Sequence, residues 1–233
     1  MKKVIIADLI NDKNVVNIYK FGSYVYGTNN AHSDEDYIIV CEEWFDTNNN
    51  DIHCYTIQQF QNLLDNCDVQ MLECYFLSKE FIILEKHQFT FNLNKEKLRI
   101  SISTITSNSW VKGKKKLTVM GDYDLNIAIK SVFHSLRILD LGIQLCVDEK
   151  ITNYGAMNYV LYDLIKLSEQ YKYIDLWDKI NEKYKKVFNA LSTSFKAKCP
   201  KNIIESNKKS QIISILKEFG IENEDLANQL LMI

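Results

Sequence analysis

One stretch limits the possible folds of this 233-residue chain more than any other: Phe21-Gly22-Ser23-Tyr24-Val25-Tyr26-Gly27, a turn through Asn29 to His32, then Asp34-Glu35-Asp36 opening the apolar run Tyr37-Ile38-Ile39-Val40. The run Asn14 to Phe21 (NVVNIYKF) reads as a strand that delivers the chain to Gly22. There the missing Cβ lets backbone approach a ligand, and the following residues can open a short helix whose unsatisfied N–H groups attract phosphate, with the Ser23 hydroxyl as an added donor. Asp34 and Asp36 stand at i and i+2 of the next strand, so their carboxylates project from one face. Taken singly, Gly-Ser, Gly27 and Ser33-Asp34 would be ordinary turn residues. Their union in one unit points instead to a site for a hard cation and a phosphate.

Mg²⁺ takes a few carboxylates and completes its shell with phosphate oxygens and water, which is how nucleoside triphosphates are held. A third acid is expected nearby. The segment Asp46 to Asn50 (DTNNN) reads as a turn between the strand Tyr37–Cys41 and a strand over Ile52–Ile57, an antiparallel hairpin that brings Asp51 beside Asp34 and Asp36. Two metal ions about 3.5–4 Å apart would then serve an in-line phosphoryl displacement. His53 shares the face of Asp51 and is a candidate metal neighbour or proton acceptor; the alternative is a hydrogen-bonded, half-buried histidine.

The rest of the chain divides by period. Val4 to Ile10 has helical spacing, Gln58 to Leu64 is a helix, and Val69 to Leu77 (VQMLECYFL) is apolar enough for a buried strand. Glu73 within that run needs a lysine, arginine or metal partner, because an unpaired buried carboxylate is costly. From Lys95 onward helices dominate: Leu125 to Leu145 with an apolar face, then Tyr154–Glu169, Leu176–Phe195, Ile203–Phe219 and Glu222–Leu231. The expected class is α+β, with a small mixed sheet domain over residues 1–90 and a helical bundle over 91–233. Hydrophobic residues at 46% allow a substantial core.

The Gly22-Ser23 turn with Asp34-x-Asp36 resembles the nucleotidyltransferase superfamily typified by DNA polymerase beta and the aminoglycoside nucleotidyltransferases. DIHCYTIQQFQNLL followed by VQMLECYF resembles a branch of predicted nucleotidyltransferases of bacteria and phages. The resemblance covers Asn14 to Leu77 well and the helical half loosely. It implies that Asp51 is the third acid, that Glu73 has a place at the site, and that KSVFHSLR (130–137) packs across the nucleotide cleft. On that helix Lys130, His134 and Arg137 fall at i, i+4 and i+7, a comb for triphosphate oxygens or a base; a solvated helix face is the other reading.

The implied activity is transfer of a nucleoside monophosphate from an NTP, ATP first, to an acceptor hydroxyl with release of pyrophosphate. It would use two Mg²⁺ ions, with Mn²⁺ as a substitute. Asp34, Asp36 and Asp51 are the expected metal ligands and catalytic residues, Gly22, Ser23, Lys130, His134 and Arg137 the expected nucleotide contacts, and His53 and Glu73 their supports. The acceptor is an RNA end such as tRNA, a protein side chain or a small molecule. Two further readings keep the fold: a toxin–antitoxin type module that adenylylates proteins, and a nucleotide-binding protein without turnover.

A formal charge of -2 gives no global attraction to polyanions, so nucleic acid would have to be held locally, by Lys112, Lys114, Lys115 and Lys116 in what reads as a solvated loop. Tyr24 and Tyr26 are expected to pack the short helix, or to stack on a base. No apolar run spans a bilayer and Asp8 interrupts the N-terminal segment, so a cytoplasmic protein is expected. The six cysteines form no C-x-x-C pair and read as small buried hydrophobes.

Overall fold

The computed structural model describes residues 6–200 and 212–217. A short helix α1 (Ile6–Leu9) precedes β1 (Val15–Phe21), whose valines and isoleucine suit a buried strand; Gly22 ends it and a single turn, α2 (Ser23–Tyr26), follows. β2 (Asp36–Cys41) returns antiparallel to β1, with Phe21 opposite Asp36. β3 (Ile52–Thr56) runs beside β2, and β4 (Ile82–Glu85) closes the other side of β1, giving the order β3-β2-β1-β4.

β2 and β3 pair in parallel, with Tyr37 opposite Ile52 and Ile39 opposite Cys54. The antiparallel hairpin expected from DTNNN is therefore corrected. Parallel neighbours need a crossover, and residues 42–51 supply it. Asn14 pins its start by exchanging two hydrogen bonds with Glu43, Phe45 packs on the apolar cluster of Leu9, Val15, Ile18, Ile39 and Ile52, and buried Thr47 donates to the Ile52 carbonyl. The polar run is the end of this crossover. It returns the chain to the same end of the sheet, which sets Asp51 next to Asp36.

Helix α3 (Ile57–Asp65) begins with a capping box between Thr56 and Gln59. The next segment corrects a second expectation: Val69–Tyr75 is a helix, α4, with Asp68 as its N-cap accepting from the Gln70 and Met71 amides. Val69, Met71, Leu72, Glu73 and Cys74 are all buried. A short helix covered nearly all round has no polar stripe, so its sequence looks like that of a buried strand.

Four long helices follow: α5 (Lys95–Thr118), α6 (Leu125–Asp148), α7 (Asn158–Gln170) and α8 (Tyr173–Lys198). Lys112 to Lys116 belong to α5 and not to a loop. Gly113 lies against α6, where a Cβ would come within 2.7 Å of a Val132 methyl, and this close packing turns the lysines outward. Residues 212–217 are helical; the rest of the two helices expected after Pro200 lies outside the described residues.

The sheet has two covered faces. Alternation along β2 sends Ile38 and Val40 to the helices and Ile39 to the α1 side. On the helix side Val16, Ile38, Phe60, Met71, Leu136 and Phe195 belong to one packed cluster, so sheet and long helices share a core. The fold is α+β, a mixed four-stranded sheet followed by helices. Among the described residues no helix is long and apolar enough to cross a membrane, and all six cysteines are free, five of them buried.

Candidate active site

Gly22 has φ +78° and ψ −144°, a backbone conformation that side chains disfavour. The strand pairing that sets Phe21 opposite Asp36 also brings the next residue under the acid: a Cβ on Gly22 would sit 2.5 Å from Asp36 Oδ2. Glycine is thus required twice, by torsion and by space. α2 then turns tightly, with the Val25 and Tyr26 amides donating to the Gly22 carbonyl, and Gly27 caps it in the left-handed region at φ +70°.

The acids gather at the same place. The Tyr37 amide donates to the Asp51 carbonyl at 2.7 Å, and the parallel register then sets Asp51 opposite Asp36. Both face the helices, because Ile38 and Val40 on β2 and Tyr55 on β3 pack on that side. Burial raises the pKa of Asp36, and the charges of Asp51 and then Asp34 push the same way against the opposing pull of His53 and Lys130. Asp34, Asp51, His53 and Lys130 thus all act on one carboxylate, Lys130 reaching it from α6. Among the described residues no three His, Cys, Asp or Glu side chains are gathered into a ready-made metal cage. The carboxylates of Asp34 and Asp51, close enough for their charges to act on Asp36, are hard oxygen donors of the kind Mg²⁺ takes, since Mg²⁺ needs few protein ligands and keeps water and phosphate for the rest.

Behind the turn lies a second polar cluster, fully enclosed. Glu73 on α4 and Arg137 on α6 form an ion pair, each about 1% exposed. The Tyr26 ring lies under the guanidinium, 3.7 Å from Cζ to ring centroid, and its hydroxyl donates to Glu73 at 2.8 Å. Arg137 also donates to His134 Nδ1 at 3.1 Å. An arginine can only donate, so Nδ1 accepts and a neutral His134 carries its proton on Nε2. Burial, then Arg137, lowers the His134 pKa to about 3. The three-residue comb on α6 is therefore split: Lys130 is exposed toward the acids, while Arg137 is spent on Glu73, the arginine partner that a buried Glu73 demanded.

Residues 4–97 match the family model of the nucleotidyltransferase domain. The N-terminal part of the chain is similar to a nucleotidyltransferase domain. No curated protein and no solved structure gave a match. The matched segment holds Gly22, Ser23, Asp34, Asp36, Asp51, His53 and Glu73; Lys130, His134 and Arg137 lie beyond it.

Sequence reasoning overlooked several residues that hold this part of the chain in shape. Asn17 is completely buried in β1; its side chain accepts from the Lys86 and His87 amides and donates to the His87 carbonyl and the Tyr19 hydroxyl. Its signal was present, a polar residue inside an apolar strand. Asn158 donates to the Tyr26 carbonyl and Tyr154 to the Glu73 carbonyl, both from more than 80 positions away, and no local pattern announces such contacts. Tyr24 packs under Lys20, whose ammonium is 4.0 Å from the ring centroid and pairs with Glu35 at 2.7 Å.

Proposed function

We propose that this chain transfers a nucleoside monophosphate from an NTP, with ATP first among them, to an acceptor hydroxyl and releases pyrophosphate. The observation that supports it best is the contact of Gly22 with Asp36, which joins the Gly-Ser turn to the acidic strand at one point while the β2–β3 register adds Asp51. In this reading Asp34 and Asp36 hold Mg²⁺, or Mn²⁺ in its place, and Asp51 holds the ion nearer the acceptor. Bound metal supplies charge neutralisation on the phosphates and a more acidic acceptor hydroxyl. Gly22 presents bare backbone and Ser23 a hydroxyl to the terminal phosphates, and Lys130 adds a cation from α6. His53, exposed and on the face of Asp51, would accept a proton from the acceptor. Arg137 and Glu73 act from behind the turn and make no contact with nucleotide. His134, held neutral by burial and by Arg137, offers a hydrogen bond and not a charge.

The test is incubation of the purified chain with radiolabelled NTPs, with and without Mg²⁺, against tRNA, protein and small-molecule acceptors. Mg²⁺-dependent label transfer or pyrophosphate release supports the reading. Absence of both with every NTP and acceptor, from a folded sample, overturns it. The acceptor class follows from which arm takes the label, and label on protein would select the adenylylating module.

A further inference from the structure

We infer that Tyr26, Glu73 and Arg137 form a positioning device through which the helical part of the chain holds the Gly22–Gly27 turn in place over Asp36. The inference rests on the proposed reading of that turn as the phosphate-facing element, and it adds what fixes the turn.

α2 is a single turn, and a helix this short has almost no stability of its own. Its first residues are set by strand pairing at Phe21 and its last by the cluster behind it. Three groups far apart in sequence grip Tyr26: the Glu73 carboxylate at its hydroxyl, the Arg137 guanidinium on its ring, and the Asn158 amide at its carbonyl, 2.7 Å away. Tyr154 in turn donates to the Glu73 carbonyl at 2.7 Å, and α4, α6 and the start of α7 all bear on one residue, Tyr26. With Gly22 backed against Asp36 at one end and Tyr26 held at the other, the Ser23 and Tyr24 amides between them have little room to move.

The cluster is also a poor device for stability alone. It buries two charges and leaves Arg137 Nε and Asn158 Oδ1 enclosed without a hydrogen-bond partner. Replacing a buried ion pair by apolar groups of similar volume is often neutral or stabilising. What the ion pair supplies that apolar groups cannot is direction: a carboxylate and a guanidinium fix where a phenol hydroxyl and ring must lie.

That difference gives the test. One variant is Tyr26→Phe, which deletes only the hydroxyl; the other is the triple change Tyr26→Phe, Glu73→Leu and Arg137→Met, which fills the space without charge. Three quantities are measured in each: the thermal midpoint, hydrogen exchange of the amides from Ser23 to Thr28, and the KM and kcat for NTP. Exchange in the turn is expected to quicken about five- to tenfold in Tyr26→Phe, the worth of one hydrogen bond. In the triple variant it quickens further at a nearly unchanged thermal midpoint, and the kinetic loss appears mainly in KM. Unchanged turn exchange in both variants overturns the inference. So does faster exchange that spreads evenly over the whole chain, because the cluster would then be a structural element only. If the triple variant fails to fold, Tyr26→Phe decides alone. Local quickening in a chain that turns over no NTP would uphold the positioning and defeat the nucleotide reading, so the two failures are distinct.

Discussion

Asp36 Oδ2 occupies the space against Gly22 in which any other residue at 22 would place its Cβ, at a separation of 2.5 Å. Alanine there must move either the turn or the acid. Adding the cost of its φ and ψ, Gly22→Ala should destabilise the chain by about 1–3 kcal/mol. It should also lose nucleotidyl transfer well beyond that, since the displaced carboxylate is a proposed metal ligand. Thermal unfolding and the labelled-NTP assay check the two effects separately, and wild-type transfer in a Gly22→Ala protein would contradict the arrangement.

Asp36→Asn should behave in the opposite way on stability. Burial and the neighbouring Asp51 raise the Asp36 pKa, so the ionised side chain is disfavoured in the folded chain at neutral pH. Its neutral isostere removes that penalty. The variant is expected to melt at or above the wild-type temperature, to lose transfer, and to lack the rise in melting temperature expected of the wild type in millimolar Mg²⁺. A clear drop in stability without Mg²⁺ would show that the carboxylate is not under this strain.

Replacement of Asn17 by leucine keeps the volume and removes every hydrogen bond the amide makes. The Lys86 and His87 amides and the His87 carbonyl are then left inside with no partner from residue 17. A loss of about 2–4 kcal/mol is expected from these groups together. Denaturant unfolding measures it, and a loss under about 1 kcal/mol would mean that water takes over the role of the amide.

His134 makes stability depend on pH. In the folded chain it binds a proton only near pH 3, because burial and Arg137, with a smaller contribution from Lys112, oppose the charge. The unfolded chain takes that proton at its ordinary value of about 6.5. Below about pH 6.5 the unfolded state therefore binds more protons, and stability falls as the pH drops. Between pH 6.5 and 5 the wild type should lose up to about 2 kcal/mol that His134→Gln does not lose. Parallel unfolding curves at the two pH values decide it.

The lysines of α5 test the acceptor. Lys115 and Lys116 are paired with Asp122, at 3.5 Å and 2.5 Å, while Lys112 and Lys114 are exposed. If this edge carries RNA, changing Lys112 and Lys114 to glutamine should weaken tRNA binding and reduce the salt slope by about two counterions. NTP binding should be untouched. Coincident titration curves at several salt concentrations would remove RNA from the acceptors.

Much of the site was legible because its chemistry is local. Gly22-Ser23, Asp34-x-Asp36 and the strands that carry them lie within one short stretch, where strand alternation and glycine backbone freedom act without help from the remainder of the chain. Asp51 was expected beside Asp36 for the wrong topological reason: a crossover and a hairpin both bring residue 51 to that end of the sheet, and a polar run of asparagines does not distinguish them. α4 was mistaken because a helix covered on all sides loses the polar stripe that marks helical period. Arg137 was assigned to phosphate because helical spacing gives the direction of a side chain and not what lies opposite it.

The amino-acid sequence by itself determined the α+β class, the switch from strand to helix period near residue 95, the Gly-Ser turn and the identity of the acids, all through interactions spanning a few residues. Tertiary structure alone decided the parallel pairing of β3, the seating of Gly22 against Asp36, and the enclosure of Glu73 with Arg137 around Tyr26. Those outcomes depend on which surfaces meet. Arg137 and Glu73 are 64 residues apart, and what turns a charged side chain on an amphipathic helix inward is a partner that only the folded chain provides.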